Sequence, residues 1–131
     1  MDRNILEACL RGSFDGSISF LEQVDRLRAT GVRRYEVDLL SREKRYYSTD
    51  DEVETEPMPI TWPAPSTTTF SVDGVKAALI ETQQGRITYP EFLRRIMLAG
   101  TASYTVFIIG RKAMYTGRDG DSYVEPFPGQ P

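Results

Sequence analysis

Six side chains in this sequence combine the residue types and the spacing that could recognise a ligand. Aromatic rings interleaved with basic groups along β-strands can stack flat molecules such as nucleotides, and phenol hydroxyls can donate and accept hydrogen bonds. Tyrosine is also a good strand former, so packing within a sheet is the structural alternative. The candidate binding residues are Tyr35, Lys44, Tyr46, Tyr47, Tyr104 and Tyr115.

The charge of the chain makes nucleic acid an unfavourable partner. Lys and Arg number 16 against 19 Asp and Glu, a net charge of −3, whereas phosphate binding requires a dense basic face. The acids Glu36, Asp38 and Glu43 also offset the bases beside the candidate tyrosines. The sequence therefore favours a protein partner over nucleic acid.

The composition removes most familiar catalytic chemistry. The chain has no histidine, which is the commonest general base and the commonest nitrogen ligand of metals. Its one cysteine, Cys9, falls in an apolar helical pattern and is predicted to be a core residue. No phosphate-binding glycine loop and no hydrolase, kinase or deaminase motif is present. We predict no metal site and no cofactor, and the sequence disfavours an enzyme.

The acidic residues have structural explanations. The run from Asp50 to Glu56 could bind a cation or imitate nucleic-acid phosphates, but such charges also protect the edge strand of a sheet from aggregation. Glu22 and Glu91 each follow a Ser or Thr by three residues, which is the spacing of a helix capping box. We therefore predict a charged edge strand and two capped helices.

The chain contains an internal duplication. When it is aligned with itself at an offset of 69 residues, residues 8–59 pair with residues 77–128 without a gap, and 15 of the 52 pairs are identical. A repeat of this kind determines how the fold must be interpreted, because each local prediction in one copy can be checked in the other.

Each copy of the repeat reads as two helices followed by three strands. The longer helix of each copy ends at a glycine, Gly31 or Gly100, which adopts the left-handed conformation after a helix at low cost. Beyond the glycine the period of the apolar residues changes to two, which predicts strands. These helices are predicted over about 20–30 and 89–99. The predicted N-caps of all four helices are Asp2, Ser19, Ser71 and Thr88.

We predict an α+β fold in a single domain over residues 1–131. Two α-α-β-β-β repeats, about 1–57 and 70–126, should share one core because a unit of that size buries too little surface alone. They are expected to be related by a pseudo-twofold axis, with a mostly antiparallel sheet and the helices on one face. A proline-rich connector over 57–69 joins the repeats, and Trp62 is expected to anchor it on the core.

One predicted strand is apolar on both faces. Such a strand is either central and covered on both sides, or a contact between two copies of the chain. The alternating sets of side chains are Tyr104, Val106 and Ile108 on one face and Thr105, Phe107 and Ile109 on the other. A homodimer would use Tyr104, Val106, Phe107, Ile108 and Ile109.

Three parts of the chain together resemble a known family. They are Gly31–Leu39 with Lys44–Tyr47, Phe92–Met97, and Gly110–Lys112 with Tyr115–Gly120. These segments, which span nearly the whole chain, are similar to the YbcV/YdfO-like family of small bacterial and cryptic-prophage proteins of unknown function, many of them labelled phage envelope protein. The resemblance implies a phage-related protein and brings no catalytic residue. Family members tend to have histidine near the first strand and near the C-terminus, where this chain has Glu36 and Tyr123–Pro126.

Three hypotheses for the function follow from the sequence. The leading one is a noncatalytic protein-interaction module of phage or prophage origin, whose partner is unidentified. The second is a small-molecule-binding protein or enzyme with a cleft between the repeats, where the candidate tyrosines would meet. The third is a structural component of the virion, as the family label implies. No apolar run is long enough to span a membrane and no secretion-signal pattern is present, so we expect a cytoplasmic protein without membrane association.

Overall fold

The computed structural model describes residues 1–66 and 69–129, and within them the chain has an α+β fold of four helices and one six-stranded antiparallel sheet. The predicted fold class is confirmed. Two residues of the predicted connector, Thr67 and Thr68, lie outside the described residues, as do the last two residues of the predicted domain. In chain order the elements are α1 (Arg3–Asp15), α2 (Phe20–Ala29), β1 (Val32–Asp38), β2 (Glu43–Ser48), β3 (Val53–Pro57), α3 (Val72–Gln83), α4 (Tyr89–Leu98), β4 (Thr101–Phe107), β5 (Lys112–Gly117) and β6 (Ser122–Pro126).

The six strands lie in the order β3-β2-β1-β4-β5-β6, and every neighbouring pair is antiparallel. The central pair joins β1 from the first half of the chain to β4 from the second. The acidic run contributes the edge strand β3, as predicted from its charges. In the central pair, Glu36 is opposite Thr105, Tyr35 is opposite Val106 and Val37 is opposite Tyr104.

The four helices begin at the predicted caps, whose side-chain oxygens accept hydrogen bonds from backbone N–H groups of the first turn. The reciprocal half of the capping box is replaced by ion pairs, because the carboxylates of Glu22 and Glu91 bind Arg26 and Arg95 one turn further along. The helices α2 and α4 end one residue before the predicted position. The capping residues are Asp2, Ser19, Ser71 and Thr88.

One face of the sheet is buried and contributes to a single hydrophobic core with the helices of both halves. Side chains along β1 and β4 alternate between buried and partly exposed positions. On the outward face of β4, Thr105 and Phe107 remain partly exposed, and Ile109 beyond the strand is 50% exposed. The prediction that this strand could be covered on both sides is therefore wrong. The inward side chains of β4 form part of the core. Cys9 is buried in that core, as predicted.

The segment after β3 is held against the rest of the molecule. Ile60 is buried, and the guanidinium of Arg42 donates hydrogen bonds to the backbone carbonyls of Ile60 and Trp62 at 2.9 and 2.8 Å. Trp62 packs against the core, as predicted, and the guanidinium carbon of Arg94 lies 4.4 Å from the centre of one of its rings. No helix in the described ranges is long and apolar enough to cross a membrane.

Candidate functional site

A pocket of about 510 Å³ lies where the two halves of the chain meet. Its rim comes from the turn between α1 and α2, around Ile18, and from the equivalent turn between α3 and α4, around Ile87. Its inner wall comes from the buried face of β1, β4 and β5, and the segment from Glu125 to Pro128 closes another side. Pockets of this size, with apolar walls and a few polar groups, are typical of small-molecule sites.

Four tyrosines place their rings in the wall of this pocket: Tyr35, Tyr89, Tyr104 and Tyr115. The hydroxyls of Tyr89 and Tyr104 are hydrogen-bonded to each other, and the rings of Tyr104 and Tyr115 stack with their centres 5.3 Å apart. Burial raises the pKa of each of these phenols, which keeps them neutral at physiological pH. They can therefore donate hydrogen bonds to a ligand, or accept them, without carrying charge.

Lys44 is buried behind the pocket, with a relative exposure of 1%. Its Nζ donates a hydrogen bond of 2.8 Å to Oε1 of Gln23, and Nε2 of Gln23 in turn donates at 3.4 Å to the hydroxyl of Tyr35. The ammonium lies 4.3 Å from the centre of the Tyr35 ring and 5.0 Å from that of Tyr46. Burial lowers the pKa of Lys44 to about 8, although the nearby carboxylate of Glu56 opposes that shift.

Two of the candidate tyrosines lie outside the pocket wall. Tyr46 is fully buried and its hydroxyl donates a hydrogen bond of 2.5 Å to Oε1 of the buried Glu56. Tyr47 lies on the outward face, where the guanidinium carbon of Arg34 stands 3.7 Å from its ring centre and its hydroxyl donates to Glu36 at 3.3 Å. The structure thus brings together Tyr35, Lys44, Tyr46, Tyr104 and Tyr115 on the inward face and separates Tyr47 from them.

Sequence reasoning missed four residues of this region: Gln23, Tyr89, Ala113 and Glu125. Gln23 and Tyr89 fall within the predicted helices, and no sequence pattern there shows that Gln23 is buried. Ala113 aligns with Lys44 at the offset of 69 residues, so the loss of a charge at that position was visible in the sequence.

The carboxylate of Glu125 lies at the wall of the pocket and is partly exposed. It accepts a hydrogen bond of 2.5 Å from the hydroxyl of Tyr123, and that bond raises the pKa of Tyr123 to about 12. Within the described residues, no acidic, cysteine or histidine side chains are grouped in a way that could hold a metal ion. The wall of the pocket thus combines apolar side chains, neutral phenols and the side chain of Glu125.

Comparison of the chain with models of known protein families gave no match, and comparison with curated proteins gave none either.

Proposed function

We propose that this protein binds a small organic molecule in the pocket between its halves. The observation that carries the proposal is the coincidence of a cavity of about 510 Å³ with a wall that contains four neutral tyrosines. A cavity with mostly apolar walls gains affinity from burial of ligand surface, and a few placed polar groups fix the orientation. A well-packed core has no need of such a space, since interiors are normally filled to crystal density.

Different residues of the pocket could bury the surface of a ligand and fix its orientation. Apolar surface comes from Ile18 and Ile87 at the rim and from Phe20 and Phe127, whose rings meet edge to face with centres 5.2 Å apart. Polar groups come from the hydroxyls of the tyrosines, three of which, Tyr35, Tyr104 and Tyr115, are buried. A ligand with an apolar or aromatic body and one polar end would match this division.

The experiment is a titration of uniformly labelled protein with small aromatic fragments, followed by nuclear magnetic resonance. We expect shifts to concentrate at residues of the pocket wall, such as Ile18 and Gln23. The variant Ile87→Trp should weaken the binding, because a larger side chain at the rim narrows the entrance. Ile80→Trp is the matched control, since Ile80 lies outside the pocket and is 53% exposed. Binding that spares the pocket residues, or that both variants affect equally, would contradict the proposal.

We also propose that the pocket arose through the internal duplication and that a pseudo-twofold axis relates the halves. Two observations support this. The order of elements is α-α-β-β-β in each half, and the pairs of the central β1–β4 ladder are arranged symmetrically about Glu36 and Thr105. Corresponding strands paired antiparallel are the arrangement that a twofold axis requires.

The second candidate function is contact with a protein partner or a second copy through the outward face of the sheet. Its support is the exposure of apolar side chains there, including Val124 at 47%, together with Phe107 and Ile109. Three residues of the predicted homodimer contact are buried in the core: Tyr104, Val106 and Ile108. Only Phe107 and Ile109 of that set could contact a second copy. A virion component would use the same side chains. Sedimentation at rising concentration, compared with the variant Phe107→Ser, tests self-association through this face.

A further inference from the structure

The first half of the chain contains an ammonium group enclosed by aromatic rings. Nζ of Lys44 lies against the rings of Tyr35 and Tyr46, at 4.3 and 5.0 Å from their centres. In the sheet, Lys44 is paired with Val37 on one side and with the acidic Glu56 on the other. Aromatic faces with an acidic group nearby form a known environment for cations.

The second half repeats this environment around a different residue. Ala113 is paired with Val106 on one side and with Glu125 on the other. Two tyrosines again stand next to each other on neighbouring strands, Tyr104 opposite Tyr115, in the same positions relative to Ala113 as Tyr35 and Tyr46 relative to Lys44. The rings and the carboxylate are kept, whereas the ammonium is missing and Phe92 stands in place of Gln23, the acceptor of the Lys44 hydrogen bond.

The space that a lysine would fill at position 113 is part of the pocket. Ala113, both tyrosines and Glu125 all line it, and the ring of Phe92 stands at 6.2 Å from that of Tyr115. Among the residues that the structure describes, no cation pairs with the Glu125 carboxylate within 4.0 Å, and the hydroxyl of Tyr115 makes no hydrogen bond. The Glu125 carboxylate already accepts the Tyr123 hydroxyl at one oxygen, and it has capacity for a further donor, as does the hydroxyl oxygen of Tyr115.

We propose that the pocket binds an organic ammonium ion whose nitrogen lies beside Ala113, where the second half lacks a lysine. This inference rests on the proposed function and names its ligand class. The rings of Tyr104 and Tyr115 would face the cation, while the Glu125 carboxylate and the Tyr115 oxygen accept its N–H groups. The apolar body of the ligand extends toward the rim at Ile87.

The test compares three probes that share a phenyl body: 2-phenylethylamine, 2-phenylethanol and 3-phenylpropanoate. Their dissociation constants would be measured near neutral pH by calorimetry or by resonance shifts of the pocket residues. We expect the amine to bind at least about ten-fold more tightly than the alcohol, from the cation–π contacts and the charge-assisted hydrogen bond together. The carboxylate should bind most weakly, because it meets Glu125.

Single-residue variants test whether Glu125 and Ala113 determine the preference for the amine. Glu125→Gln should weaken amine binding by about ten-fold and leave alcohol binding unchanged. Asp119→Asn is the control, because it removes the same charge from an exposed residue of the preceding turn. Ala113→Lys should abolish amine binding by placing the chain's own ammonium in the site, with circular dichroism verifying its fold. If Ala113→Lys does not fold, the proposal is tested by Glu125→Gln alone, because Glu125 is partly exposed and its substitution should leave the fold intact.

The outcomes separate the two proposals. Equal affinity for amine and alcohol, tightest binding of the carboxylate, or an amine preference that survives Glu125→Gln would overturn the ammonium site and leave the pocket as a binding site. If all three probes fail to bind while other aromatic fragments occupy the pocket, the ammonium inference is wrong and the proposed function stands. If no fragment of any kind binds there, both are wrong.

Discussion

Lys44 is the residue at which burial and charge conflict most directly. A lysine is almost never fully buried unless it is paired, because removing its ammonium from water is costly. Here the ammonium has one hydrogen-bond acceptor, Gln23, and the faces of Tyr35 and Tyr46. These contacts offset only part of the cost of burying the charge. Burial therefore lowers the pKa of Lys44 to about 8.

This pKa makes a prediction about stability and pH. Above about pH 8 the folded chain releases the Lys44 proton, whereas the unfolded chain holds it until near its ordinary value of 10.5. The unfolded state then binds more protons, so the contribution of Lys44 to the free energy of unfolding rises with pH in this window. We expect the free energy of unfolding of the natural chain, relative to that of Lys44→Met, to rise by about 2–3 kcal/mol between about pH 7 and about pH 10.

Denaturant unfolding of both chains across that pH range gives the two free energies of unfolding. The prediction concerns the difference between these free energies. Buried phenols such as those of Tyr104 and Tyr115 have raised pKa values and favour unfolding at high pH in both chains, so their effects cancel in the difference. Lys112→Met, at an exposed lysine of β5, is the control and should show no such rise. A flat difference for Lys44→Met would mean that burial does not lower the pKa of this lysine in the folded chain.

At the scale of elements, the turn from helix to strand is the feature that both halves share most closely. Gly31 and Gly100 follow α2 and α4 with φ of 92° and 89°, where a side chain is strained. Their surroundings differ. A Cβ on Gly31 would meet nothing within 4 Å, whereas one on Gly100 would lie 2.3 Å from the carbonyl oxygen of Thr69.

We therefore expect Gly100→Ala to destabilise the protein more than Gly31→Ala. The strain of a left-handed alanine, about 1–2 kcal/mol, applies to both variants, and the collision with the Thr69 backbone applies only to Gly100→Ala. Thermal unfolding followed by circular dichroism measures the difference. Equal melting temperatures would show that the backbone before α3 moves away from the added Cβ without destabilising the protein.

Much of the element order could be predicted because its signals are local and occur twice. A Ser or Thr before a helix and a glycine after it act over a few residues, so Ser19 and Gly31 could be checked against Thr88 and Gly100. A cleft between the repeats is one of three hypotheses from the sequence, and the composition of its walls could not be predicted in the same way. The walls combine segments that are distant in the sequence, such as the turn around Ile18 and the end of β6, and no local pattern encodes how such segments pack together.

At the scale of the whole molecule, the two halves depend on each other. The strand β1 finds its second neighbour only in β4, and the core cluster includes residues from every helix. A separated half would expose the apolar side chains of that core and leave a central strand unpaired, and a chain of about 60 residues has little burial to spare.

We expect fragments of residues 1–66 and 69–131 to be unfolded or self-associated when alone and to recover a cooperative unfolding transition when mixed. Circular dichroism and sedimentation on each fragment and on the mixture provide the measurement. A fragment that stays monomeric and melts cooperatively by itself would show that one half carries a complete core.

The central β1–β4 pair has a consequence for stoichiometry. Two separate identical chains joined through such a ladder would place the same side chains on both sides of the axis, so both ends of a shared cavity would be identical. The two halves of this chain differ instead: in the first the ammonium of Lys44 lies against the Tyr35 ring, and in the second Ala113 lines the pocket. The chain is thus expected to take up a single guest molecule, with a saturation ratio of one to one.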